Sequence, residues 1–406
     1  MFKIFSLLLI FLTAFLYAQE NAKVLSLRAF PGDDETAFPV LTNEKLTIDF
    51  DLQSEHVPQL ALVFRFCDKN WNPSDNLFLA NNGHNIFNNP EYSVLPVTVK
   101  KARYHFREQF PDSKGLISFP FSGKWKYFVT DAYDTSKIYA SGKFVVVINE
   151  LRMDVTLRKE KLEDKTYFPT ELAYIFNVTA EFNLPDNFYP SYVDHMEVIE
   201  NHKADYSYIV DRSFNTNVRQ FYWDGTKKFT FTIRDIQPGN EYRQTDLRNH
   251  NKFIAPNVKA QFEGLEYSRF FKEGSPDLNG GEILLDPQND YATYLNVNFS
   301  IRPPDQLYND VFLVGAFNHW KVLPEYKMNE NGGIYSIAVP LKRGLYDYQY
   351  VTGDISGNGV KNVNWTYFEG NSWDTSNFYY VFLYYNDPDL GGYDHIIGYA
   401  KIFSKQ

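Results

Sequence analysis

The chain has 406 residues, 18% of them aromatic and 22% charged, with a formal net charge of −10 and a single cysteine, Cys67. That length exceeds what one hydrophobic core fills and fits about three domains. One cysteine excludes an internal disulfide. Lysine and arginine are scattered among carboxylates rather than gathered into a stripe, which makes nucleic acid and anionic lipid surfaces poor candidate partners.

The first eighteen residues have the make-up of a secretory signal: Lys3 as the positive start, Ile4 to Leu16 as the apolar stretch, and Ala18 as the small residue before cleavage. Spanning a bilayer takes about 20 apolar residues, and no later stretch approaches that. No cysteine follows the signal, so lipid attachment at a new N-terminus is not expected.

Beyond the signal, hydrophobicity alternates with a period of two, which places one set of side chains on the core face of a sheet and the other in water. Leu46, Ile48 and Phe50 alternate with Thr47, Asp49 and Asp51. Phe176, Val178 and Ala180 alternate with Asn177 and Thr179, Phe229, Phe231 and Ile233 with Thr230 and Thr232, and Val297, Phe299 and Ile301 with Asn298 and Ser300. Asn82-Gly83, Asp224-Gly225, Pro238-Gly239 and Asn331-Gly332 punctuate these runs as turns. No stretch has a clean helical period. The expectation is an all-β chain of tandem immunoglobulin-like sandwiches: residues 1–18 the signal, 19–149 and 150–285 two sandwich domains, and 286–406 a third, packed as a fairly fixed row.

Chemistry is hard to find. There is no G-x-S-x-G elbow, and Cys67, inside an apolar strand, has no histidine partner. The histidines are dispersed, and the nearest pair, His195 and His202, fits no zinc spacing. Asp354-Ile355-Ser356-Gly357-Asn358-Gly359 resembles the start of a calcium loop, but Trp365 occupies the position of the bidentate glutamate, so a hairpin is expected instead. No catalytic residue, metal ligand, cofactor or small-molecule substrate is assigned.

The aromatic content is the anomaly. Phe378-Tyr379-Tyr380-Val381-Phe382-Leu383-Tyr384-Tyr385 is apolar or aromatic on both faces. Such a strand is either buried between a core and a neighbouring domain, or a partner surface; the second alternative assigns partner contact to Tyr380 and Tyr384.

Gly315-Ala316-Phe317-Asn318-His319-Trp320, followed by Tyr346-Asp347-Tyr348-Gln349-Tyr350, resembles the early-set immunoglobulin-like domains that include glycogen-binding modules. The resemblance makes Trp320 a candidate stacking platform for a sugar. The lysine that helps to hold glycan in that family is replaced by Gln349, and Thr352-Gly353-Asp354 carries no second tryptophan. A further resemblance spans nearly the whole mature chain. Its landmarks, in order, are Phe66-Cys67-Asp68 with Trp71-Asn72-Pro73-Ser74, Ser122-Gly123-Lys124-Trp125, Gly239-Asn240-Glu241-Tyr242-Arg243, Asp277-Leu278-Asn279-Gly280 and Tyr393-Asp394-His395-Ile396-Ile397-Gly398. Together they resemble the type IX secretion system plug-protein family. The resemblance implies a non-enzymatic, exported adaptor in the periplasm, at the inner face of the outer membrane. There it would close the mouth of an outer-membrane translocon barrel, its partner. A carbohydrate-binding or glycan-adhesive module is the alternative.

Overall fold

A computed structural model of the chain describes residues 22–162, 167–213 and 215–405; the signal segment and its cleavage point lie outside them. The architecture is all-β, and the helical pieces among the described residues are short 3-10 turns such as Pro190–Tyr192 and Ala316–Asn318.

The first sandwich opposes two antiparallel-rich sheets. One runs in the order Lys23–Pro31, Leu46–Gln53, Tyr104–Phe110, Ser93–Val94. The other runs Val40–Leu41, Ile138–Val146, Gly123–Asp131, Leu60–Cys67, Ile86–Asn88. Leu46, Ile48, Phe50 and Leu52 meet Leu62, Phe64, Phe66 and Trp125 between them, as the alternation requires. The opposite phase departs from expectation. Thr47, Asp49 and Asp51 are buried rather than solvated, because the outer face of their sheet is covered. Lys342, from a strand nearly 300 positions later in the chain (~300 by numbering), forms an ion pair with Asp51 at 2.8 Å.

The second sandwich is discontinuous in sequence. Asp154–Lys161, Tyr174–Asn183, Lys228–Ile236 and Arg219–Trp223 form one sheet. Tyr208–Asp211 and Val193–Glu200 form the other with the last two strands of the chain, Phe378–Asp387 and Tyr393–Phe403. The third sandwich is inserted before that final hairpin. Its long strand Gly344–Ser356 is flanked by Arg243–Asp246, Glu282–Leu284, Asp310–Gly315 and Gly359–Asn364, and the facing sheet is centred on Tyr294–Arg302 and Ile334–Lys342.

The sequence-based ranges 150–285 and 286–406 are therefore corrected. Arg243–Asp246 and Glu282–Leu284 belong to the third sandwich, and Phe378–Phe403 returns to the second. Alternation identifies strands but not their partners, and the pairing here crosses the expected boundary. The arrangement is also not a row, since the first and third sandwiches touch directly. Tyr294 donates from its hydroxyl to Asp51 at 2.8 Å, and Leu95 and Val99 pack with Ala292 and Tyr294.

Candidate functional site

The strand Phe378–Asp387 shows why its sequence is apolar on both faces. Its odd-numbered residues Tyr379, Val381, Leu383 and Tyr385 enter the core of the second sandwich with Phe176, Val178 and Ile233. Its even-numbered residues Tyr380, Phe382 and Tyr384 enter a separate cluster with Phe38, Trp71, Val145 and Val147 of the first sandwich. Tyr380 and Tyr384 are 3% and 1% exposed. The assignment of both to a partner surface is thus corrected: they form the joint between two domains of this chain.

That joint carries buried charge. Lys124 reaches Glu197 at 2.8 Å, with side-chain exposures of 2% and 1%. The Tyr384 hydroxyl donates to the other Glu197 oxygen at 2.8 Å, and Lys124 also donates to the Lys69 carbonyl at 2.7 Å. Burial raises the Glu197 carboxyl most strongly, but the charge and hydrogen bond of Lys124, together with the Ser207 hydroxyl, hold the group below the usual glutamate range. Trp71, whose backbone takes a left-handed φ of 65°, lies beneath both Lys124 and Lys143, each 4.7 Å from its ring.

Trp320 is likewise buried, beside the boundary between the third and second sandwiches. It is 1% exposed, its indole N–H donates to the Gly280 carbonyl at 2.7 Å, and its ring lies 4.2 Å from that of Tyr242. A sugar has no face of it to stack on, which corrects the glycan-platform alternative at this residue. Gln349 is also buried and donates to the Trp365 carbonyl at 2.6 Å. On the other side of Tyr242, its hydroxyl donates to Glu200 of the second sandwich at 3.2 Å. Asp277 accepts from the backbone N–H groups of Tyr242 and Asn279, and Asp347 accepts from those of Leu278 and Gly280. Burial pushes both carboxyls up, Asp277 with added repulsion from Asp347. Gly280 sits at φ +89°, where a Cβ would lie 3.1 Å from the Trp320 indole nitrogen.

Where the three sandwiches meet there is a cleft of about 80 Å³, lined by Arg28 and Tyr127 of the first, His202 and Asp205 of the second, and Glu282 and Trp320 of the third. Small-molecule sites run to about 300–1,000 Å³, so this cleft is of solvent size. Arg28 pairs with Glu35 at 2.8 Å and Asp49 at 3.0 Å. Burial raises the Glu282 carboxyl to about 7 against the pull of Arg28. A separate open groove of about 880 Å³ between residues 302–310 and 327–335 carries the highly exposed Tyr308.

The remaining chemical candidates resolve into structure. Cys67 is buried, and burial pushes its thiol up to about 12, far from a thiolate nucleophile. Asp354 accepts from Asn309 and Asn362 at 2.8 and 2.9 Å beside the hairpin of Gly344–Ser356 and Gly359–Asn364. Among the described residues no group of three or more His, Cys, Asp or Glu side chains is placed to hold a metal ion. His195 and His202 do not converge: His195 stacks on Tyr384 at 4.2 Å, while His202 bonds the Thr36 carbonyl at 2.9 Å.

The landmarks that stood out in the sequence are largely these joints. Ser122 bonds the Ile396 carbonyl at 2.6 Å, Lys124 holds Glu197, Tyr242 supports Trp320, and Gly280 receives its indole. Arg243, in the same motif as Tyr242, is buried between Glu369 and Glu266, each at 2.9 Å. What sequence reasoning missed was their destination. The local sequence carried no signal for it, because Asp51, Lys124, Glu197 and Lys342 all lie on the outer phase of their strands, where a charge reads as solvated.

Comparison with known proteins bears on the fold and on the first sandwich. A crystal structure of a hypothetical protein from Parabacteroides merdae ATCC 43184 superposes with a TM-score of 0.74 at 21% identity, covering 94% of this chain and 97% of that one. It shares the fold. A structure of a 1.5-MDa bacterial ice-binding adhesin, 9% identical over 95% of both chains, reaches a TM-score of only 0.12, which establishes no likeness of fold. No curated protein matches the chain. Residues 24–148 match the family described as type 9 secretion system plug protein, first domain. The first sandwich of this chain is thus similar to the first domain of the type IX secretion system plug family.

Proposed function

We propose that this chain is a non-enzymatic adaptor of the type IX secretion system that sits in the periplasm and closes the inner mouth of an outer-membrane translocon barrel. The observation that carries the proposal is the match of residues 24–148 to the plug first domain. The physics of the molecule supports it. Covering an aqueous pore demands a body of fixed shape rather than a catalytic centre. Here three sandwiches are locked by buried ion pairs and aromatic joints. The same reading implies export through the inner membrane, with the signal removed after Ala18.

The test is a deletion strain. Loss of the protein should admit large antibiotics and dyes that an intact outer membrane excludes, while assembly of the translocon continues and cargo export falls much less. Unchanged permeability, together with no barrel protein co-purifying from solubilised outer membranes, would refute the reading.

A further inference from the structure

One end of the molecule combines three loops from two domains into an apolar surface that the internal packing leaves uncovered. The loop after Leu60–Cys67 is a fixed knuckle rather than a slack connection. Asp68 caps the N–H groups of Asn70 and Asn72 at 2.9 and 2.8 Å, and Asn76 accepts from the Phe78 N–H at 3.0 Å. Leu79 anchors it in the first core at 2% exposure, yet Leu77 and Phe78 stand 81% and 68% exposed. Beside it lies the tip of the C-terminal hairpin. The Asn76 amide donates to the Leu390 carbonyl at 2.7 Å, and Lys69 donates from its backbone to Asp394 at 2.7 Å. Leu390 takes a left-handed φ of 52° with its side chain exposed, an unfavourable choice for leucine on both counts. Next to Lys69, an open groove of about 330 Å³ runs between Asn386 and Tyr192. Tyr189 and Tyr192 are exposed beside it, the former tied through its N–H to the Tyr385 hydroxyl at 3.1 Å.

The charge beside the exposed leucines is acidic, while Arg212 keeps its positive charge at the edge of the groove. Lys69 is held by Asp194 at 2.9 Å, and Arg212 is spent on the carbonyls of Pro190, Ser191 and Val193. Asp75 and Asp389, flanking the exposed leucines, are exposed and enter no ion pair among the described residues. We propose that this end, with Leu77, Phe78 and Leu390 at its centre and Tyr189 and Tyr192 at its margin, is a preformed docking surface for a protein socket that is apolar inside and rimmed by lysine or arginine. Apolar side chains on a rigid mount lose little entropy when covered, and the acidic rim selects a basic counterpart. The same rim repels anionic lipid headgroups. The identity of the partner rests on the plug reading, which makes the socket part of the translocon barrel; the surface itself rests on the geometry alone.

The experiment places a photo-crosslinking amino acid at position 78, 390 or, as a control on another domain, 262, in cells that carry the translocon. It is paired with a Leu77→Ser/Phe78→Ser variant. Both replaced side chains are exposed, so circular dichroism and melting should be unchanged. Positions 78 and 390 should crosslink to the barrel, at peptides that contain apolar residues next to lysine or arginine, and position 262 should not. Co-purification of the double variant should weaken at least tenfold (~10-fold), and wild-type binding should weaken with salt. If wild type co-purifies with the barrel and the double variant does so equally well, the docking surface is wrong and the plug reading stands. If nothing co-purifies but positions 78 and 390 crosslink to such a socket on another envelope protein, the plug reading falls and the surface stands. No protein crosslink from either position overturns the proposal. So does flotation on phosphatidylethanolamine–phosphatidylglycerol vesicles that the double variant loses, or a wild-type dimer that it abolishes.

Discussion

Lys124→Met gives the sharpest test of how the domains are held together. The substitution keeps the length and much of the volume of the side chain while removing the ammonium, and so leaves Glu197 buried with only the neutral hydroxyls of Tyr384 and Ser207 as side-chain hydrogen-bond partners. Breaking a buried ion pair from one side costs about 3–5 kcal/mol, because the other charge is left uncompensated. The loss should come mainly from stranding Glu197, not from the pair's net attraction, since desolvation of both ions offsets much of that attraction. Lys124→Met with Glu197→Gln should therefore recover most of the loss and lie within about 1–2 kcal/mol of wild type. Urea unfolding followed by circular dichroism and by tyrosine and tryptophan fluorescence measures both. Because three domains need not unfold together, the two probes should be compared before a single free energy is assigned. The single variant should separate the transitions, since the charge lies where the first and second sandwiches meet. A single variant within about 1 kcal/mol of wild type, or a double variant no better than the single, would show that the triad is solvated and that the joint is held in another way.

Three other outcomes follow from the same geometry. Tyr380→Ser with Tyr384→Ser should lower stability by several kcal/mol (~3–5 for each large buried side chain lost), with loss of the folded circular dichroism spectrum; a stable, folded double variant would contradict their burial. Trp320→Ala should destabilise by a similar ~3–5 kcal/mol, and calorimetry of the wild type with maltoheptaose should show no binding, whereas micromolar affinity abolished by that substitution would restore the sugar-platform reading. Glu282 has a folded pKa of about 7 against an ordinary 4.5. Its neutral form is the one the fold tolerates, so its contribution is fully present below pH 4.5 and is lost as pH rises through 7, on the order of 3 kcal/mol in all. Glu282→Gln should flatten the stability profile between those values, and an unchanged slope would count against the burial of a lone carboxyl beside Arg28.

Much of the fold was legible because alternation is a local property. Leu46, Ile48 and Phe50, or Phe229, Phe231 and Ile233, declare a core face whatever lies around them. The pairing of Phe378–Asp387 with Val193–Glu200 was not legible, since nothing in either segment names the other across the inserted third sandwich. The two-faced apolarity of that strand did hold the right information, but two meanings fit it, a joint and a partner surface, and only the position of Val145 and Phe38 against Tyr380 and Phe382 decides between them. Aspartates at 49 and 51 misled for the opposite reason. A charge on the outer phase of a strand ordinarily faces water, and here Arg28, His105 and Lys342 replace the water. Trp320 shows the limit of motif reading. Its local turn fits the early-set pattern, while its accessibility is set by Tyr242 and Gly280, distant in sequence.

Domains joined in one chain ordinarily move against one another unless their interface is large and apolar. In this molecule each pair of sandwiches is joined by a polar contact across the boundary: Lys124 to Glu197 between the first and second, Lys342 to Asp51 between the third and first, and Tyr242 to Glu200 between the third and second. An apolar contact tolerates sliding, because its energy follows area and not direction. A buried charge does not, since a displacement that loses its partner leaves it unpaired at a cost of several kcal/mol (~3–5). Two such ion pairs, Lys124–Glu197 and Lys342–Asp51, fix the first sandwich against the second and the third, and the Tyr242–Glu200 hydrogen bond, whose carboxylate also pairs with Lys203, adds direction at the remaining boundary. Around them, apolar clusters such as that of Tyr380, Phe382 and Tyr384 supply the bulk of the adhesion. The division of labour is that hydrophobic burial holds the sandwiches together while the ion pairs decide in which register. That is how a chain with one cysteine reaches a single rigid shape without a disulfide.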